Sequence, residues 1–271
     1  MTGGCTLRFS IAPMVTGLTL PPMRLDTQYI PRVRSVGLDG VLVTFGDSAT
    51  DTANRAAIAF RGAVDAQNWD MITESSSTLV SAFFRIDLSE HRFDDIADRL
   101  EGVLTTQNWE AAPLPAGRAL WTIPAVFGGD RAPQLAEAAE AAGIGEADAL
   151  RDLTTARLRV LTLGFAPGQP YLGTLGETWN IPRQKELTPN VPAGALVAAV
   201  RQVCVFAKDT PTGWRHVGQS AFSCFRPRGD TPFPLAPGDE VQFTEITAKE
   251  LARIEAQVTD GTGGATREVL G

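Results

Sequence analysis

Between Leu163 and Leu175 the chain reads LGFAPGQPYLGTL, which packs three glycines, two prolines and one of the protein's two tyrosines into one short stretch. Gly164, Gly168 and Gly173 admit backbone conformations or close approaches that a side chain would block. Pro167 and Pro170 fix φ and reduce the freedom of the unbound loop, so less ordering entropy is lost when something binds. Phe165, Pro167, Gly168, Gln169 and Pro170 therefore form a candidate partner- or substrate-facing loop; the alternative is a stiff turn at a barrel corner. Tyr171 can present its hydroxyl to a bound molecule, or simply pack its ring. Further on, Arg183 can grip a carboxylate or phosphate through two parallel hydrogen bonds. Its alternative is a surface ion pair with Glu177 or Glu186.

Other chemistries lack their residues. No Gly-Lys pair exists for a P-loop, no strand followed by GxGxxG offers a dinucleotide site, and no GxSxG elbow presents a serine. Two histidines, His91 and His216, are too few for a His-rich centre, so no metal is expected. His91 falls on the polar side of a predicted helix. Cys5, Cys204 and Cys224 are scattered, odd in number and form no CxxC, which reads as reduced thiols in a cytoplasmic protein. A net charge of -7 argues against nucleic acid or an anionic membrane as partner. No apolar run approaches the roughly 20 residues that span a bilayer. A self-contained hydrolase is not encoded; any catalysis needs a site completed by another chain.

These residues must be positioned by a chain of 271 residues, 44% hydrophobic and 20% charged, enough for a real core. Residues 1–28 read as a disordered or misannotated leader, with Met23 a possible true start. VRSVGLDGVLVTF predicts one or two strands around an Asp39-Gly40 turn. A helix follows, with Ser48 and Asp51 spaced as its cap and Ala53, Ala57, Phe60 and Val64 on one face. Two short strands flank the serine run, and Phe93, Ile96, Ala97, Leu100, Val103 and Leu104 form one stripe of an amphipathic helix. NWEAA and RALWTIPAVF read as further strands. This alternation predicts a ferredoxin-like α+β domain over 29–155, including a helical linker with Pro133 near its start and Gly143 at a stop. From 156 to 271, short apolar runs between Gly/Pro loops predict a β-barrel or sandwich, and TAKELARIEAQV a closing helix with a Thr247/Glu250 capping box.

Five segments occur in a telling order: GFAPGQPYLGTL, IPR at Ile181–Arg183, VPAG at Val191–Gly194, the Gly213-Trp214 pair, and LAPGDEVQF at Leu235–Phe243. FGDSATDTANRAAIAF and FGGDRAPQL precede them. The set resembles the family of the 5-oxoprolinase B subunit, which includes KipI-type kinase inhibitors and the first subunit of allophanate hydrolase-type proteins. The resemblance spans roughly Val36 to Ile246. It implies a ferredoxin-like domain followed by a cyclophilin-like barrel, in a protein inactive alone. Together with a homologous cyclophilin-like C subunit, and with a separate 5-oxoprolinase A subunit, such proteins open 5-oxo-L-proline to L-glutamate at the expense of ATP. ATP is thus implied for the assembly, with no ATP site evident in this chain. Alternatives in the same family are inhibition of a sensor histidine kinase and a carboxyltransferase-like role in a urea carboxylase or allophanate system. Prolyl isomerase activity would rest on fold analogy alone.

The resemblance also ranks residues. Gln202 matches a family polar position and can read an amide such as the lactam, or sit satisfied in the barrel. His216 is the one candidate general acid or base near a family segment. Asp47 and Asn54 match the N-terminal segment, and helix capping accounts for them equally well. Trp214 reads as core. Departures are specific: Gln169 replaces an aromatic, Asn190 a cation and Ala195 a hydroxyl residue.

Overall fold

The first hairpin turns over residues 37–39, with Gly37 at φ +61°, one step before the expected Asp39-Gly40 pair, and Gly40 already opens the second strand. β1 (Arg32–Val36) and β2 (Gly40–Thr44) pair antiparallel around this turn. The computed structural model describes residues 29–270, so the expected leader and Cys5 lie outside the described residues. The serine run is a second hairpin, β3 (Glu74–Ser77) with β4 (Ser81–Arg85). Together they make one antiparallel sheet of order β1-β2-β4-β3.

Val41 lies opposite Phe84 and Val43 opposite Ala82, which puts all four on one face. Two helices cover that face: α1 (Asp51–Asp65) brings Ala53, Ala57, Phe60 and Val64, and α2 (Phe93–Leu104) brings Ile96 and Leu100. The cap of α1 is Thr50, whose hydroxyl accepts from Ala53 N at 3.2 Å; the sequence points instead to Ser48 and Asp51. NWEAA is not a strand. Trp109–Ala111 forms a 3-10 turn, capped by Asn108 onto Glu110 N, with the Trp109 ring edge-on to Phe60 at 5.1 Å.

β5 (Ala119–Phe127) follows, then α3 (Leu135–Ala142), stopped by Gly143 at φ +68°, and α4 (Glu146–Thr155). The remaining strands are β6 (Leu158–Leu163), β7 (Pro170–Gly173), β8 (Thr188–Val191), β9 (Ala195–Ala199), β10 (Gln202–Val205), β11 (Thr210–Thr212), β12 (Arg215–Ser220) and β13 (Glu240–Glu245). α5 (Ala248–Gln257) carries the expected Thr247/Glu250 capping box, and β14 (Thr266–Val269) ends the fold. Strands β12-β9-β10-β7-β6-β13-β5 form one sheet, and β12 also pairs with β5, so seven strands close into a barrel with β14 added along β5. The expected α+β fold with a β-barrel is present.

One strand is placed differently from its sequence neighbourhood. The alternation predicts β5 in the N-terminal sheet, yet its hydrogen bonds go to β13 (in parallel), β12 and β14. Two ties then bind the N-terminal sheet-and-helix layer to the barrel. Asn54 of α1, 2% exposed, donates to the Leu161 carbonyl at 2.9 Å, so it bridges layers rather than capping a helix. Thr162 Oγ1 donates to the Ser77 carbonyl at 2.9 Å.

β9 and β10 are buried on both faces. Leu196, Ala198, Val203 and Val205 join the main barrel core, while Val197, Ala199 and Cys204 pack with Val191, Phe206 and Trp214 on the other side. The small β8–β11 sheet belongs to that second side. This explains the unbroken apolar run GALVAAV, because a strand covered on both faces does not alternate.

Candidate functional site

The proline-glycine loop is closed by its own backbone. Gly164 N donates to the Gln169 carbonyl at 3.0 Å, and Gln169 N to the Ala166 carbonyl at 3.1 Å. Gly168 has φ +71°, and a Cβ there would lie 2.0 Å from the Cys224 carbonyl oxygen, so only glycine fits. Gln169, 2% exposed, turns inward and accepts from Ala207 N at 3.4 Å. Pro170 then opens β7 beside β6. Phe165 is pushed outward with φ +69° and is 73% exposed.

Beside this loop lies a cleft of about 220 Å³ that collects Phe165, Gln169, Tyr171 and Arg183 from the sequence candidates. Tyr171 sits opposite Cys204 across β7 and β10, and its ring meets Trp214 edge-on at 6.1 Å. Arg183 lies with its guanidinium over Trp214, 5.3 Å from the ring centre. Its segment is clamped: Gln184 N donates to the Gly213 carbonyl at 2.6 Å, and Arg215 Nη1 to the Pro182 carbonyl at 2.8 Å. Glu177, one of the carboxylates weighed as its partner, is bonded by Arg201 instead. Among the described residues no carboxylate pairs with Arg183.

Burial chiefly pushes the Tyr171 hydroxyl up from its usual pKa; the neighbouring Cys204 adds to this, while Arg183 and a hydrogen bond from Gln169 pull it back. At neutral pH it is a phenol able to donate. Burial likewise holds the Cys204 thiol well above its ordinary range, despite nearby Arg183, so it is a wall and not a nucleophile. Trp214, read as core, is 6% exposed and also walls the cleft. Leu187 forms the far lip at 63% exposure, and Phe233, 50% exposed and stacked on Phe225 at 5.2 Å, stands beside Gly168. A phenol donor, an exposed guanidinium over Trp214 and an aromatic face can hold a small molecule with one carboxylate. Among the described residues that line the cleft there is no histidine or carboxylate to act as a base.

The other two candidates lie elsewhere. Gln202 pairs with Gly173 and Ala199 and does not line the cleft. His216, 5% exposed on β12, borders a separate depression with Asp130, Arg131, Gln219 and Glu255. Burial lowers its pKa and the Arg131 charge adds to the effect, against weaker opposing contacts with Gly218 and Gln219. Its Nε2 has no hydrogen-bond partner among the described residues. Sequence inspection missed Cys204, Leu187 and Trp214 as cleft residues, since their only signal is an apolar pattern that also describes core. Among the described residues no group of three or more His, Cys, Asp or Glu could hold a metal, and no helix is long and apolar enough to cross a membrane.

The cleft thus lies on the outer wall of a closed barrel that stands beside an α+β layer. The family model for the carboxyltransferase domain, subdomain C and D, matches residues 31–235, and the chain belongs to that family. It is 26% identical over 226 residues to the 5-oxoprolinase B subunit of Bacillus subtilis, covering 81% of this chain and 94% of that one. It is 36% identical over 146 residues to the 5-oxoprolinase B subunit of Escherichia coli O157:H7, covering 53% and 67%. The crystal structure of TTHA0988 superposes with a TM-score of 0.64 at 27% identity, over 80% of this chain and 40% of that one. The Kluyveromyces lactis urea carboxylase shares the fold, with a TM-score of 0.66 at 18% identity over 93% of this chain and 25% of that one. The chain therefore spans well under half the length of these two solved structures.

Proposed function

We propose that this chain is the B-type component of a 5-oxoprolinase assembly and works in the cytoplasm with two partners, the cyclophilin-like C-type component and the A-type component. The single observation that carries the reading is the convergence of Tyr171, the unpaired Arg183 and an exposed apolar lip at one cleft. Arg183 holds the carboxylate of 5-oxoproline, and Tyr171 donates to an oxygen of the bound molecule. Phe165, Leu187 and Phe233 are exposed because a second polypeptide covers them. The missing base and the ATP-dependent step come from the partner chains, which fits a cleft with no histidine or carboxylate among its described lining residues. The names of the Bacillus and Escherichia relatives support the same assignment.

The test mixes the chain with its A-type and C-type partners and follows ATP-dependent release of glutamate from 5-oxoproline. Activity that needs all three supports the assignment. Silence, where the Bacillus subtilis relative restores turnover with its own partners, rejects it.

A further inference from the structure

A second cleft, of about 520 Å³, shares no residue with the first. It lies where the start of α1 meets the entries to β5 and β6. Four arginines line it, Arg55, Arg118, Arg157 and Arg159, against two carboxylates, Asp51 and Glu240. That local surplus of positive charge sits in a chain whose net charge is -7. Both carboxylates are already engaged. Glu240 takes Arg157 at 2.7 Å and Arg118 at 3.5 Å, and Asp51 takes Arg159.

Two guanidinium groups are left with unused capacity. Arg55 forms no ion pair among the described residues. Arg159 lies between β7 and β13, opposite Gly173 and Glu240, with its side chain 13% exposed and its Nε buried without an acceptor. A buried cationic donor left unpaired is costly, and surplus arginines at one mouth repel each other. Negative oxygens supplied from outside relieve the repulsion among the arginines, and the guanidinium fork matches carboxylate and phosphate geometry. Pro113 and Leu114 bring little apolar wall, so an apolar ligand has little to bind. The volume suits a small molecule.

We propose that this cleft is an anion site for a small molecule carrying at least two negatively charged oxygens, gripped by Arg55 and Arg159 within the field of Arg118 and Arg157. The site is independent of the substrate cleft proposed above. Phosphoryl groups and dicarboxylates share the required chemistry, so the experiment carries one probe of each.

Titrate the full chain with inorganic pyrophosphate and, separately, with glutarate, by calorimetry at low and at high salt. The site predicts submillimolar binding of at least one probe, weakened at high salt. Arg55→Gln should weaken it about tenfold or more, and Arg183→Gln should leave it unchanged. Arg55 holds no ion pair among the described residues, so its variant should fold; Arg157→Gln, at a half-exposed position, provides a second variant with the same expected loss. Pyrophosphate alone assigns a phosphoryl ligand, and glutarate alone a dicarboxylate. Binding of neither probe overturns the proposal, as does binding that survives both Arg55→Gln and Arg157→Gln or that disappears in Arg183→Gln.

Discussion

Arg183, Gly168 and His216 show how differently single residues serve one fold. Arg183 holds a charge over Trp214 with no carboxylate among the described residues to neutralise it. Arg183→Gln should therefore leave thermal stability nearly unchanged. A charge-assisted bond contributes about 1.5–3 kcal/mol, so the KM for 5-oxoproline in the reconstituted assembly should rise about 10- to 100-fold. An unchanged KM would return Arg183 to the ordinary surface. Gly168 is structural: adding a methyl at φ +71° and 2.0 Å from the Cys224 oxygen should cost about 2 kcal/mol or more in a urea melt of Gly168→Ala. His216 acts through its proton. Its native pKa lies below the ordinary 6.5 because burial disfavours the imidazolium. As pH falls through that ordinary value, the unfolded chain takes up a proton that the native state refuses, so stability present above it declines below it. Urea midpoints measured from pH 7 to 5 should fall less steeply in His216→Gln than in the parent.

At the scale of elements, most boundaries were legible because local chemistry set them. The first hairpin turn, the Phe93–Leu104 stripe, the Gly143 stop and the Thr247/Glu250 box all depend on residues within a few positions of one another. NWEAA failed for the opposite reason. Its apolar Trp109 suggests a strand, but its indole donates to the Leu104 carbonyl at 2.9 Å and folds the segment back on α2. Asn54 failed likewise: a helix-start asparagine suggests capping, while its partner is a carbonyl on β6 far along the chain. Asn54→Ala should leave that buried carbonyl without its donor and lower stability by about 1–3 kcal/mol, read as a shift in the urea midpoint. Little change would mean that water replaces the amide at the layer boundary.

On the scale of the whole molecule, closure of the barrel decides what is exposed. Seven strands leave few open edges; Phe165 and Leu187 remain as large exposed apolar side chains at the cleft mouth, with exposed Phe233 beside Gly168 of the same loop. If a second polypeptide sits on them, Phe165→Asp with Leu187→Asp should weaken association with the cyclophilin-like partner about tenfold or more in sedimentation, with the barrel's own melt unaffected. The sequence alone determined the α+β class and the family, and through the family resemblance implied the barrel, because turn residues, apolar periods and ordered motifs are written in neighbouring positions. Only the tertiary structure decided that β5 belongs to the barrel, that Gln202 and His216 stand apart from Tyr171 and Arg183, and that four arginines converge on a second cleft. Those facts depend on pairing between strands distant in the chain and on which face each side chain meets. Pattern within a segment carries neither.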